Sequence, residues 1–240
     1  MVATYLLRLV IAHLIGDFIL QPKKWVKSKR KKKIKSKYLY LHAVVHGLLA
    51  YVLIAEWKQL WVPLLVIIIH WGIDLLKSYQ KNNFKWFLSD QAFHLASLIL
   101  LWIFFYNQPE LVVENICTIS QQNTIWWLAA AYLFITTPTA IIINRATMKW
   151  QKELKEKKGN ESLKNAGKWI GILERILTLT FILIGEFAAI GFLIAAKSIF
   201  RFGDLTNGKE RKLTEYILIG TLLSFSITII IGILVKNQLQ

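Results

Sequence analysis

Residues 41–53, LHAVVHGLLAYVL, place two histidines, His42 and His46, four positions apart at the start of an apolar run. Four positions is the spacing that puts two side chains on one helix face. Histidine is scarce, with five in 240 residues. Two of them on one face of a greasy helix raise the question of what that face meets.

The surrounding chain answers first with its solvent. Apolar types make up 55% of the residues, and apolar runs near membrane-spanning length recur at about 2–20, 38–55, 60–76, 88–106, 125–143 and 213–235. Ten tryptophans and eight tyrosines suit interfacial belts. The net charge of +16 sits in the segments between these runs, ten Lys/Arg falling between Lys23 and Lys37 alone. That distribution is a topology signal and argues against nucleic acid as a partner. Anionic lipid headgroups are the partner expected at the basic loops. The first run has no basic leader and no small-residue cleavage site, so it is expected to remain as a helix. One cysteine, Cys117, excludes an internal disulfide framework and any multi-cysteine metal site.

Charge asymmetry orients the runs. Basic segments follow the first, third and fifth, while residues 107–124 carry Glu110 and Glu114 and neither Lys nor Arg. The basic segments are therefore expected in the cytoplasm, and the N-terminus outside. Residues 169–200 are long for one span and short for two; Gly185 divides them into an expected hairpin, Trp169–Ile184 and Glu186–Phe200. The expected fold is all-α: a polytopic membrane bundle of seven or eight hydrophobic helices. Residues 1–106 form its four-helix, metal-binding part. Residues 107–168 hold an outer loop, a fifth helix and a basic loop, and 169–240 hold the hairpin and a final helix.

The pattern at His42 and His46 recurs in each of the first four runs. HLIGD holds His13 and Asp17, HAVVH holds His42 and His46, HWGID holds His70 and Asp74, and DQAFH holds Asp90 and His94. All five histidines and three of the four aspartates are used. A histidine meets another His or Asp at this spacing by chance roughly one time in fourteen, so four independent pairs amount to about one in ten thousand. With the runs antiparallel, all four pairs fall at the cytoplasmic end of their helices. His13, His46, His70 and His94 are expected as a deep ring. Asp17, His42, Asp74 and Asp90 form a second ring about 6 Å shallower, at 1.5 Å rise per residue.

Ionisable groups inside a membrane are costly and need partners. A divalent ion provides them: imidazoles ligate as neutral donors and carboxylates balance its charge. All eight residues are candidate ligands for one ion or two, with zinc first and iron or manganese also suited to the donors. Gly16, Gly47 and Gly72, beside or within the pairs, are expected to admit close helix approach. Asp17, His42, Asp74 and Asp90, in the shallow ring, are the candidate catalytic groups. Lys77, Glu174, Arg175, Lys197 and Arg201 are candidates for holding an anionic substrate group. The competing reading is that Glu174 pairs with Lys197 or Arg201 to lock the hairpin.

The stretches AHLIGDFILQ, LHAVVHGLL, HWGIDLLK, DQAFH and GKWIGILERILTL with AIGFLIAAKSIFRFGD resemble a bacterial membrane family known only as domain of unknown function 3307. That resemblance implies a bacterial inner-membrane location and no particular activity. A looser likeness is to predicted membrane-bound metal-dependent hydrolases. The expectation is therefore a membrane-embedded metal-dependent enzyme, a hydrolase acting at the cytoplasmic face on a lipid-like or phosphorylated substrate. The alternatives are a divalent-cation transporter and a metal-stabilised regulatory membrane protein. A transport path calls for polar residues beyond the rings, where the sequence reads VATYLL, LLAYVLIAE, WVPLLVIII and LILLWIFFY, with Arg8 the main exception.

Overall fold

The structure is a computed structural model that describes residues 2–106, 124–155, 166–202 and 211–239. These are helices joined by short turns, without strands. They divide into two compact units, Met1–Ala130 and Ala131–Gln240. Cys117, Glu110 and Glu114 lie outside the described residues.

In the first unit α1 (Val2–Leu14) runs into a π-helical turn, Ile15–Ile19. The helix stops before Pro22, as expected for a residue that disfavours helix at the preceding position. Residues 23–35, read from the sequence as part of a connecting loop, instead form α2 (Lys23–Lys32) and a short 3-10 turn, bent 86° from the first helix. Then come α3 (Lys37–Ile54), α4 (Trp61–Tyr79) and α5 (Phe84–Tyr106). Pro63 sits in the first turn of α4, where no intrahelical N–H is lost. Asn83 caps α5, its Oδ1 accepting the Trp86 N–H at 2.9 Å.

Four of these helices close a ring: α1 packs on α3 and α5, and α4 packs on α3 and α5. α3 and α4 approach closely. A Cβ on Gly47 would overlap Ile67 and lie 2.9 Å from the Pro63 carbonyl, so only glycine fits there. Gly72 differs from expectation: a Cβ there meets nothing within 4 Å, because that face of α4 points away from its neighbours.

The interior of the ring has two zones. One is apolar, with Leu9, Ala12, Ala50, Ile54, Val62, Val66, Leu98 and Leu101. Beyond it Tyr5 bonds to Glu56, and Arg8 donates to the Ile54 carbonyl at 2.9 Å. The other zone holds the histidines and aspartates, and α2 lies across it. The outside of the ring is apolar too, with Leu48, Val52, Leu64, Ile68, Phe93, Leu100 and Phe104 exposed. Helices apolar on both faces are compatible with a lipid surrounding.

The remaining helices are α6 (Thr124–Ile135), which straddles the unit boundary, and α7 (Thr137–Ala146), α8 (Met148–Lys155), α9 (Ala166–Ile184), α10 (Phe187–Phe202) and α11 (Arg211–Leu239). The α9–α10 break falls at Gly185, whose φ of +87° suits a residue without a Cβ. Ile182, Ile190 and Phe225 form the core of this unit, and Gly232 lets α11 close on Ile182. Among the described residues five helical segments are long and apolar enough to cross a membrane, or six if the bent α1–α2 pair counts as one span. The bundle is thus compatible with a multi-pass membrane protein.

Candidate metal centre

The four His/Asp pairs converge inside the ring formed by α1, α3, α4 and α5. The imidazoles of His46 and His70 stack at 3.5 Å between centroids and those of His70 and His94 at 4.2 Å, while His13 meets His94 at 5.0 Å and His46 at 5.5 Å in tilted contacts. The deep four therefore form a closed circuit. His42 lies edge-on to His46 at 4.6 Å and to His70 at 4.9 Å.

Asp17 occupies the middle of the cluster. Its Oδ1 lies 2.9 Å from His42 Nε2, 3.2 Å from His46 Nε2 and 3.6 Å from His70 Nε2. Its Oδ2 lies 3.9 Å from His13 Nε2. Asp17 thus reaches both expected levels instead of staying in the shallow one. The local cause is the π-helical turn Ile15–Ile19, which widens the helix at this residue. Gly16 makes room beside it: a Cβ there would stand 2.5 Å from Cε1 and 2.9 Å from Cδ2 of His46.

Three groups of donor atoms lie within 4.8 Å of one another: Asp17, His42, His46 and His70; His13, His70 and His94; and Asp17, Asp90 and His94. Seven of the eight expected ligands belong to at least one of them. Around a tetrahedral ion with bonds of about 2.0–2.1 Å, neighbouring donors are separated by roughly 3.3 Å. The Asp17 to Nε2 distances bracket that value. All five histidines offer Nε2 to the cluster, so one nitrogen of each ring is aimed at the same volume. His70 Nε2, His94 Nε2 and Asp90 Oδ1 are buried and make no hydrogen bond. Buried polar atoms normally have partners, and an ion supplies one.

Asp74 departs from its expected role. It belongs to none of the three groups. Lys29, only 5% exposed, reaches down from α2 and forms an ion pair with it. Lys77, expected as a substrate contact, pairs with Asp90 Oδ2 at 2.5 Å and lies 3.9 Å from Asp74. α2 is held over the centre by Trp25, which stacks on Tyr38 at 5.6 Å and meets His42 edge-on at 6.3 Å. A Ser28–Ser36 hydroxyl bond of 2.9 Å fastens its far end.

Two glutamines complete the shell. Gln91 Nε2 donates to Asp17 Oδ2 and Asp90 Oδ2, both at 3.0 Å, while its Oε1 faces His13 Nε2 at 3.3 Å. Gln21 Nε2 lies 2.6 Å from His42 Nε2. Neither glutamine stands out by spacing alone, although both lie inside or beside the pair motifs. Lys29 was hidden among its basic neighbours; the clue is that it follows Trp25 by four positions, on the inward face of α2.

Beneath the four-histidine circuit lies a cavity of about 10 Å³, lined there by His13, His46, His70 and His94 and below by Leu9, Val66, Leu98 and Leu101. It has room for about one water. The apolar zone closes the far side.

The candidate residues of the second unit have partners of their own. Glu174 pairs with Lys197 at 2.5 Å, joining α9 to α10. Arg175, 4% exposed, donates to the carbonyls of Ile135 and Thr136 and to Ser224 Oγ at 3.2 Å. Those carbonyls lie at the α6–α7 break, just before Pro138, which has no N–H. The Arg201 side chain lies outside the described ones.

An all-helical bundle, with helices of spanning length and a buried cluster of histidines and aspartates in its first unit, is the class this fold defines. The chain belongs to the family described as Protein of unknown function (DUF3307), which it matches over residues 5–124. That stretch contains the four pairs. No curated protein and no solved structure matches the chain.

Proposed function

We propose that this protein is a membrane-embedded metal-dependent hydrolase. A divalent ion, zinc by preference for a nitrogen-rich donor set, is held by Asp17, His42, His46 and His70. The observation that carries the reading is the convergence of five Nε2 atoms and the Asp17 carboxylate on one buried volume. An ion bound there acts as a Lewis acid and lowers the pKa of water. Gln91 orients Asp17 through its second oxygen, and the free Oδ1 of Asp90 is placed to accept a proton. The substrate class is a lipid-like or phosphorylated molecule, reached from the cytoplasmic face of a bacterial inner membrane with the N-terminus outside. The lysines exposed on α2 are matched to anionic headgroups at that face.

The apolar plug of Leu9, Ala50, Val62, Val66, Leu98 and Leu101 favours catalysis over transport. A carried ion would have to pass it, whereas an enzyme needs access from one side only.

The test is elemental analysis of the detergent-purified protein beside a His46→Ala, His70→Ala double variant. Hydrolysis of phospholipid in mixed micelles is measured in parallel. Bound metal and metal-dependent turnover in the wild type, both lost in the variant, are expected. A metal-free wild type that takes up none on reconstitution refutes the proposal. Metal without turnover, together with uptake of the ion into proteoliposomes, assigns the centre to transport.

A further inference from the structure

The geometry admits two ions and the charges admit one. The group of Asp17, His42, His46 and His70 and the group of Asp17, Asp90 and His94 share a carboxylate, which is the arrangement of a bridged pair. Two ammonium groups already stand against the buried carboxylates, Lys29 itself buried and the Lys77 side chain 21% exposed. Lys29 pairs with Asp74, and Lys77 with Asp90.

Histidine ligates as a neutral group. The cluster therefore holds three carboxylates against two ammoniums, a net charge of −1. One divalent ion brings it to +1, which a hydroxide or an anionic substrate group neutralises. Two divalent ions bring it to +3 in a volume from which water is largely excluded. An uncompensated excess of that size is costly there, and it would act directly on the lysines. An ion on Asp90 Oδ1 would share a carboxylate with Lys77, which is held at 2.5 Å on the other oxygen.

We infer that this centre holds a single divalent ion at Asp17, His42, His46 and His70, and that Lys29 and Lys77 occupy the electrostatic place of a second. The inference rests on the metal reading above and goes beyond it by setting the ion count and giving two lysines a role. Lys29 is delivered by the 86° bend before α2, so this basic segment is part of the centre. Asp74 becomes the residue that holds Lys29 in place, and Asp90 the one that holds Lys77.

The experiment is zinc per chain in the full-length protein, saturated in detergent and passed through gel filtration. One equivalent is expected for the wild type. In the Lys29→Met, Lys77→Met double variant the cluster falls to −3, and two ions restore the same +1; its zinc content is expected to double. A charge-neutral variant, Lys77→Met with Asp90→Asn, keeps the net charge at −1 and is expected to keep one equivalent. Two equivalents in the wild type overturn the inference while leaving the metal reading intact. So does a folded double-lysine variant that stays at one. Loss of the single ion from the charge-neutral variant also overturns it, because Asp90 would then be a ligand. Zero equivalents in the wild type overturn the metal reading itself. Should the double-lysine variant fail to fold, the wild-type count and the charge-neutral variant still decide.

Discussion

Replacing Gly16 by alanine tests the centre with one methyl group and no change in charge or donor set. The added Cβ would lie 2.5 Å from Cε1 and 2.9 Å from Cδ2 of His46. Ordinary contact begins near 3.4 Å, so the imidazole has to retreat by about 1 Å. Metal–ligand distances tolerate only about ±0.2 Å, so a shift of that size takes His46 Nε2 out of bonding range. The loss is expected to be at least the 10–100-fold of a disturbed outer-shell partner, about 1.4–2.7 kcal/mol of binding free energy. Overpacking adds about 1–3 kcal/mol of destabilisation. Gly72→Ala is the control, because its Cβ meets nothing within 4 Å. Removing a mid-helix glycine there is expected to be neutral or to stabilise by up to about 1 kcal/mol. The assay is competition for zinc against a chromogenic chelator, with thermal unfolding of both variants beside the wild type. A folded Gly16→Ala protein that binds zinc within about twofold of wild type would refute the placement of His46 at the ion.

Other measurements reach other parts of the molecule. Gln91→Leu removes the donor to Asp17 and Asp90, and zinc affinity is expected to fall about 10–100-fold with little change in fold; equal affinity by chelator competition would remove Gln91 from the shell. Arg175→Met removes the donor to the Ile135 carbonyl and one of two donors to that of Thr136, which the Ala140 N–H still reaches at 3.2 Å, and a loss of roughly 1–3 kcal/mol in stability is expected, read as a lower melting temperature at unchanged zinc content. If zinc is lost at an unchanged melting temperature, Arg175 serves the centre instead. Lys31→Cys in a Cys117→Ser background, with the new thiol on the exposed face of α2, is expected to react with an impermeant maleimide only from the cytoplasmic side of oriented vesicles, and labelling from the outside would reverse the orientation.

The helices of the first unit were legible because a segment able to span a membrane obeys a simple rule. Every spanning segment must be apolar and internally hydrogen-bonded, so the runs around 38–55, 60–76 and 88–106 translate almost directly into α3, α4 and α5. The hairpin at Gly185 was legible for a related reason, since a positive φ in a greasy segment calls for glycine. The four pairs were legible because the helix period puts i and i+4 on one face. The structure of 23–35 was hidden, because ten cations in fifteen residues read as a solvated segment. Its inward turn depends on Pro22 before it and on the rings of Tyr38 and His42, which Trp25 meets.

By itself the sequence determined that these segments are apolar and that each of four apolar runs, at about 2–20, 38–55, 60–76 and 88–106, carries an ionisable pair on one face. Periodicity and charge asymmetry are properties of single segments, and single segments can be read without their neighbours. Which atoms meet is a property of the packed ring. Only the tertiary structure decided that Asp17 stands at the centre, that Asp74 faces Lys29, and that His46 lies against Gly16. A π-helical turn, a bent basic helix and an absent Cβ set those contacts, and each acts across helices distant in the chain.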